Sequence, residues 1–274
     1  MTKINKSDKF LKLVGKHKEK KKATKFRGTL EEYLKILEED FSVAKLAHKR
    51  LFDTISEKGI TRMSLTDARC NKLFGGAELK TYDYFQNQFF GMERSLAKIM
   101  RFLQSASLKG EESRQVLLLL GPVGAGKSAL MEHIKSALED CDPMYHIEGC
   151  PVHEEPLHLI PRSLREQFQQ IYGFRIEGDL CPICRYRLKE EFENDYTLMP
   201  ISQSSFSVRG RRGVGVVPPM DANSQDVTIL VGSEDISKLD LYAEDDPRVL
   251  SLNGAFNVGN RGIVEFVEVF KNEI

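Results

Sequence analysis

Five consecutive apolar residues, Val116–Leu120, run directly into the octet Gly121-Pro122-Val123-Gly124-Ala125-Gly126-Lys127-Ser128. The octet matches GxxxxGK[ST] in full. With glycine at about 7% of average usage, these four required residues coincide in roughly one chain of this length per hundred. An apolar run that stops at glycine reads as a strand buried on both faces, as in a parallel sheet covered by helices. Beyond the loop, Leu130, Ile134 and Leu138 fall on one side of a segment from Lys127 to about Leu138, which is helical spacing. Strand, glycine loop and helix form the first part of a βαβ unit. The fold class predicted is α/β: a P-loop NTPase, with a parallel sheet and flanking helices.

Each residue type in the loop has a task. Glycines admit positive φ and let the backbone come close to phosphate. Loop N–H groups then converge on phosphate oxygens at a helix N-terminus, where the helix dipole adds its share. Lys127 is expected to bridge the β- and γ-phosphates and the Ser128 hydroxyl to complete a Mg²⁺ shell. The predicted ligand is ATP with Mg²⁺, held by Gly121, Pro122, Val123, Gly124, Ala125, Gly126, Lys127 and Ser128. A glycine-rich turn without a ligand is the competing reading.

Hydrolysis at such a site also needs carboxylates at the end of a neighbouring strand, one for the Mg²⁺ shell and one to polarise water. The candidate is Gly262–Val269, an apolar stretch interrupted by Glu265 and Glu268. In an hhhhDE arrangement Glu268 takes the glutamate place, and Val267 stands where the metal-side aspartate belongs. Strand side chains alternate faces, so Glu265 shares a face with Val267 and is the candidate to stand in for it. An edge strand with solvent-facing glutamates is the alternative.

The remaining chain divides by composition. Residues 1–27 hold eleven Lys or Arg against Asp8 and Glu19 and read as a flexible basic arm, solvated rather than bound. A helical N-terminal region is expected over 28–81. Thr29-Leu30-Glu31-Glu32 has capping-box spacing, and Leu30, Tyr33, Leu34, Leu37 and Phe41 follow on one face. The phosphate-binding domain is assigned to 82–274, interrupted at about 145–225 by an irregular insertion rich in cysteine and proline, with a short helix near Ser163–Ile171. Within it, Cys181-Pro182-Ile183-Cys184 is a CxxC and Cys150-Pro151-Val152-His153 a CxxH. Cys150, His153, Cys181 and Cys184 offer the three thiolates and one imidazole that tetrahedral Zn²⁺ accepts. The 27 residues between His153 and Cys181 exceed zinc-ribbon spacing. Unligated thiols and a redox pair therefore stay open beside zinc, with His146 and His158 as spare fourth ligands.

Forty basic residues balance forty acidic ones in the 274-residue chain, so overall charge gives no reason to expect nucleic acid as a partner. No apolar run approaches the ~20 residues that cross a bilayer, and the basic N-terminus lacks the apolar region of a secretory signal. Five cysteines, an odd count without an export signal, argue for reduced thiols in the cytoplasm.

Several segments converge on one family. GPVGAGKSAL at 121–130, CPVHEEPLHLIP at 150–161, EGDLCPICRYRL at 177–188, SQDVTILVGSEDISKL at 224–239 and NRGIVEFVEVFK at 260–271 resemble the PrkA-type serine protein kinases, from about residue 5 to the C-terminus. The resemblance implies an N-terminal AAA+ type ATPase domain and a protein substrate, with a homo-oligomer formed by the full-length protein. Family members run longer than this chain. The sensor strand, arginine finger, helical lid and kinase-like domain would thus lie beyond Ile274, and the AAA+ domain would be incomplete at its C-terminus. No HRD, DFG or VAIK-type lysine is present, so no kinase residue carries over. Three functions follow for comparison: the ATP-binding AAA+ domain of such a kinase, an ATP-driven remodelling or protease-associated module, and a nucleotide-binding regulator that does not hydrolyse. Whether this chain is by itself an enzyme stays open; the expectation is nucleotide binding with weak or absent turnover.

Overall fold

The computed structural model describes residues 10, 11, 14, 26–63, 79–219 and 226–268. Most of the basic arm lies outside the described residues, as do Cys70 and Val269. After the short strand β1 (Arg27–Gly28), helix α1 (Leu30–Glu39) opens at Thr29. Thr29 Oγ1 accepts the Glu32 N–H at 3.4 Å, and Glu32 Oε2 accepts the Thr29 N–H at 2.9 Å. This capping box satisfies two donors at the helix start. Leu30, Tyr33 and Leu37 bury the face that the sequence spacing assigns to the core.

Helix α2 (Ala47–Glu57) gives way at Gly59, whose φ is +128°. The chain then leaves helix. Strand β2 (Ile60–Met63) pairs antiparallel with β3 (Leu79–Tyr82), Thr61 opposite Thr81. The predicted helical region thus ends in a two-stranded ribbon, since a glycine with positive φ followed by β-branched Ile60 and Thr61 favours extended chain.

Two apolar clusters organise the rest. In the first, α2, α3 (Glu93–Ser107) and α4 (Lys127–Glu139) close around Ile55, Phe85, Met100, Ile134 and Leu138. The second joins α1 to β4 (Met144–Ile147), α5 (Arg165–Tyr172), α6 (Pro182–Glu190) and β5 (Ile201–Ser204) around Tyr33, Leu37, Ile147, Cys184 and Ile201. Strands in the order β1-β5-β4 make a three-stranded antiparallel sheet over it. The stretch 145–225, expected to be irregular, therefore has a core of its own. Pro156 and Pro182 sit at the first turns of short helices, where a missing N–H costs nothing, instead of interrupting them.

Strand β6 (Val214–Val217) pairs in parallel with β9 (Ile263–Phe266). Between them in sequence come α7 (Thr228–Val231), the antiparallel pair β7 (Ser233–Glu234) and β8 (Leu250–Ser251), and α8 (Ala255–Val258). Gly215 lets α8 cross β6 closely: a Cβ there would lie 2.1 Å from the Ala255 carbonyl oxygen.

The apolar run before the phosphate loop requires a correction. Val116–Leu120 forms no strand, Val116 and Leu120 are 88% and 76% exposed, and Leu119 alone of the five packs on the first cluster. A strand exists through the N–H and C=O groups of its neighbours, and β6–β9 does not extend to this segment. Among the described residues the predicted parallel sheet is present only as β6–β9, and the other strands pair antiparallel in separate small sheets. Among the described residues, too, no helix is long and apolar enough to cross a membrane.

Candidate functional site

The octet Gly121–Ser128 forms a turn that passes straight into α4. Gly124 and Gly126 take φ of +80° and +79°, values that side chains resist and glycine adopts freely. The Ala125 N–H donates to the Pro122 carbonyl at 3.3 Å and fixes the turn. Gly126 is the N-cap of α4, and no side chain caps the helix. The first-turn N–H groups, at the positive end of the helix dipole, are thus without a side-chain acceptor. Lys127 folds back over the loop, donating from Nζ to the carbonyls of Gly121 at 2.7 Å and Pro122 at 2.8 Å. Gly124 faces open space and Val123 is wholly exposed, while Ser128 is exposed on the first turn of α4. Donors, a lysine ammonium and a hydroxyl all cluster at one helix start, a donor set that suits phosphate and its counter-cation.

The two candidate carboxylates are placed differently. Glu265, on β9, accepts from Lys135 Nζ at 2.9 Å, and Lys135 also binds Glu132. Burial works against the charge on Lys135, but hydrogen bonds to the two carboxylates outweigh it and hold the ammonium above its ordinary value. Lys135 lies eight residues along α4 from Lys127, about 12 Å at the helical rise. Glu265 is thereby drawn to the middle of the helix rather than to its N-terminus. Glu268 follows the end of β9 with φ of +54°, just after the Val267 N–H donates to the Val217 carbonyl at 3.0 Å. Lys135 was not foreseen from the sequence; Glu132, one helical turn earlier, was the available signal.

Three of the four predicted metal ligands come together, and the fourth is replaced. Sulfurs of Cys150, Cys181 and Cys184 lie with a Glu154 carboxylate oxygen in a cluster whose members are all within 4.8 Å of one another. His153 is outside it. With φ of +49°, His153 turns its ring onto His146, centroids 4.8 Å apart, and position 154 swings back to Cys150. Burial, with the neighbouring His146 and two arginines, pushes His153 down to about 4. The Cys150 thiol donates to Glu154 Oε2 at 3.5 Å, and Glu154 Oε1 accepts the Cys181 N–H at 2.6 Å. Hydrogen bonding with Cys150 and Cys184 lowers the Cys181 thiol, whereas hydrogen bonding to Cys181 pushes Cys150 up and bonding to both neighbours pushes Cys184 up. The signal for Glu154 was a carboxylate four residues from Cys150 in a turn, which CxxH spacing obscures.

Residues 28–274 match the family described as the PrkA AAA domain. The chain is 38% identical over 268 residues to a protein named ATP-dependent protease PrkA from Bacillus subtilis, covering 95% of this chain and 40% of that protein. It is 34% identical over 253 residues to one named serine/threonine kinase YeaG from Escherichia coli K12, covering 90% of this chain and 39% of that protein. The chain therefore spans about 40% of the length of these relatives. No solved structure matches it.

Proposed function

Because the chain belongs to the PrkA AAA domain family, we propose that it is a nucleotide-binding module that holds Mg²⁺-ATP at Gly121–Ser128. The observation that carries this reading is the uncapped start of α4 behind two glycines of positive φ, with Lys127 folded across the loop. Backbone N–H groups of the loop and first turn would bind the phosphates, Lys127 would exchange its two carbonyl partners for phosphate oxygens, and Ser128 would ligate Mg²⁺. Bound Mg²⁺-ATP supplies the reactive γ-phosphoryl group; the chain's own residues bind and orient. Binding of a fluorescent ATP analogue tests this. Wild type is expected to bind at least tenfold more tightly than Lys127→Ala, and equal affinity would overturn the assignment.

Turnover by the isolated chain is expected to be weak. Val267 stands at the aspartate place of the acidic strand, and Glu265 is engaged by Lys135. Glu268 is the residue we assign as water-polarising carboxylate. Full ATPase activity in Glu268→Gln would remove it from that role.

The function we favour for the whole protein is phosphotransfer to protein serine, driven from this domain; a reducing cytoplasm is the setting this reading takes. One relative's name, an ATP-dependent protease, favours a second reading in which ATP drives polypeptide movement or cleavage. Incubating the full-length protein with γ-labelled ATP and casein separates the two. Labelled phosphoserine supports the first, and casein fragments with release of inorganic phosphate support the second.

A further inference from the structure

The geometry points to a structural zinc centre formed by Cys150, Glu154, Cys181 and Cys184, distinct from the phosphate loop and independent of the nucleotide reading. Tetrahedral zinc with Zn–S of about 2.3 Å and Zn–O of about 2.1 Å sets its ligands roughly 3.5–3.8 Å apart. The four donor atoms already lie within 4.8 Å of one another, so a contraction of about an ångström completes the site. Two of the sulfurs accept backbone hydrogen bonds, Cys181 from the Cys184 N–H at 3.3 Å and Cys150 from the Glu154 N–H at 3.4 Å. Outer bonds of this kind orient thiolates for a metal and spread their charge. Cys181 is also the N-cap of α6, where the helix dipole favours a thiolate.

Burial supplies an independent argument. Cys184 is 0% exposed and Glu154 4%, so the donor atoms are withdrawn from water together. Polar donor atoms buried in this way need hydrogen-bond partners or a metal ion. His158 lies beside Glu154. Its Nε2 lies 2.9 Å from the Glu177 carbonyl, which can only accept, so Nε2 carries the proton. The other nitrogen, Nδ1, is buried without a hydrogen-bond partner and faces Glu154 Oε1 at 3.6 Å.

With all four positions filled by the protein, the centre is of the closed, structural kind rather than the catalytic kind with an open place. It would tie the turn at 150–154 to the start of α6, two segments that share the second apolar cluster.

Metal analysis by plasma mass spectrometry, on protein purified without chelators, is expected to find about one zinc per chain. Replacing zinc by Co²⁺ should give tetrahedral d–d absorption and an intense thiolate-to-cobalt band. Cys181→Ser and Glu154→Ala should each lower zinc affinity at least tenfold, and His153→Ala and His158→Ala should retain the metal. Less than about a tenth of a zinc in folded wild type grown with added zinc would overturn the proposal. So would iron in its place, or a Cys181–Cys184 disulfide found by mass spectrometry. If His158→Ala loses zinc while Glu154→Ala keeps it, the assignment of the fourth ligand is wrong. Wild-type metal content decides the outcome even if a cysteine variant fails to fold.

Discussion

Lys135 shows how one side chain settles what a glutamate can do. Its side chain is 5% exposed and lies between Glu265, 14% exposed, and Glu132, 67% exposed. Removing one partner of a buried pair leaves the other charge uncompensated. Glu265→Gln is therefore expected to destabilise the fold by about 1–3 kcal/mol in urea unfolding. The exposed partner matters less, and Glu132→Gln should cost under about 1 kcal/mol. The same placement makes Glu265→Gln nearly silent for nucleotide affinity, with a change below threefold; loss of binding would show that Glu265 serves the phosphate site instead. The pH dependence has a definite sign. A lysine whose value is raised above 10.5 holds its proton more tightly when folded. Its contribution is complete at neutral pH and is lost only as pH climbs through the alkaline range past that value. Between pH 6 and 9 the stability difference between wild type and Glu265→Gln should stay flat; a steep slope there would contradict the bridge.

At the scale of elements, what the sequence revealed depended on whether an element's cause is local. The start of α1 was legible because a capping box is written in four residues, Thr29 to Glu32, and the structure forms both of its bonds. Thr29→Ala is accordingly expected to lower stability by about 1 kcal/mol and Thr29→Ser by far less, measured by thermal unfolding. Equal losses would mean that the hydroxyl is not what matters. Helix α4 was legible from its apolar spacing, and the glycines before it from the motif. The strand expected at Val116–Leu120 was not, because strand formation is decided by hydrogen-bonding neighbours that an apolar run does not specify. Nor was the organisation of the insertion. Its prolines look like breakers in sequence, yet Pro156 and Pro182 occupy helix starts, and its sheet joins residues far apart such as Arg27 and Ser202. In the thiol cluster, three cysteines were found from their spacing. The fourth member of the cluster is Glu154 rather than His153, and the positive φ that turns His153 away lies in the backbone and not in the pattern.

For the molecule as a whole, the exposed apolar run and the balanced charge act together. Val116, Leu118 and Leu120 are 88%, 51% and 76% exposed in one short segment, and its backbone has no ladder partner among the described residues. An apolar segment with free hydrogen-bonding groups is a template for another chain. Electrostatic repulsion would ordinarily oppose that contact, but forty basic and forty acidic residues leave the chain with no net charge near pH 7. The 274-residue chain is therefore expected to self-associate at micromolar concentrations. Light scattering should fall on either side of neutrality as net charge develops. The two contributions can be separated. Val116→Lys with Leu120→Lys both breaks the apolar patch and adds charge, whereas two lysines introduced at exposed glutamates outside the patch, Glu190 and Glu244, add more charge and leave the apolar residues in place. If the patch drives association, the first pair should abolish it and the second should only shift its pH maximum upward. If both pairs dissolve the aggregates equally, charge alone governs, and Val116–Leu120 is not the contact surface.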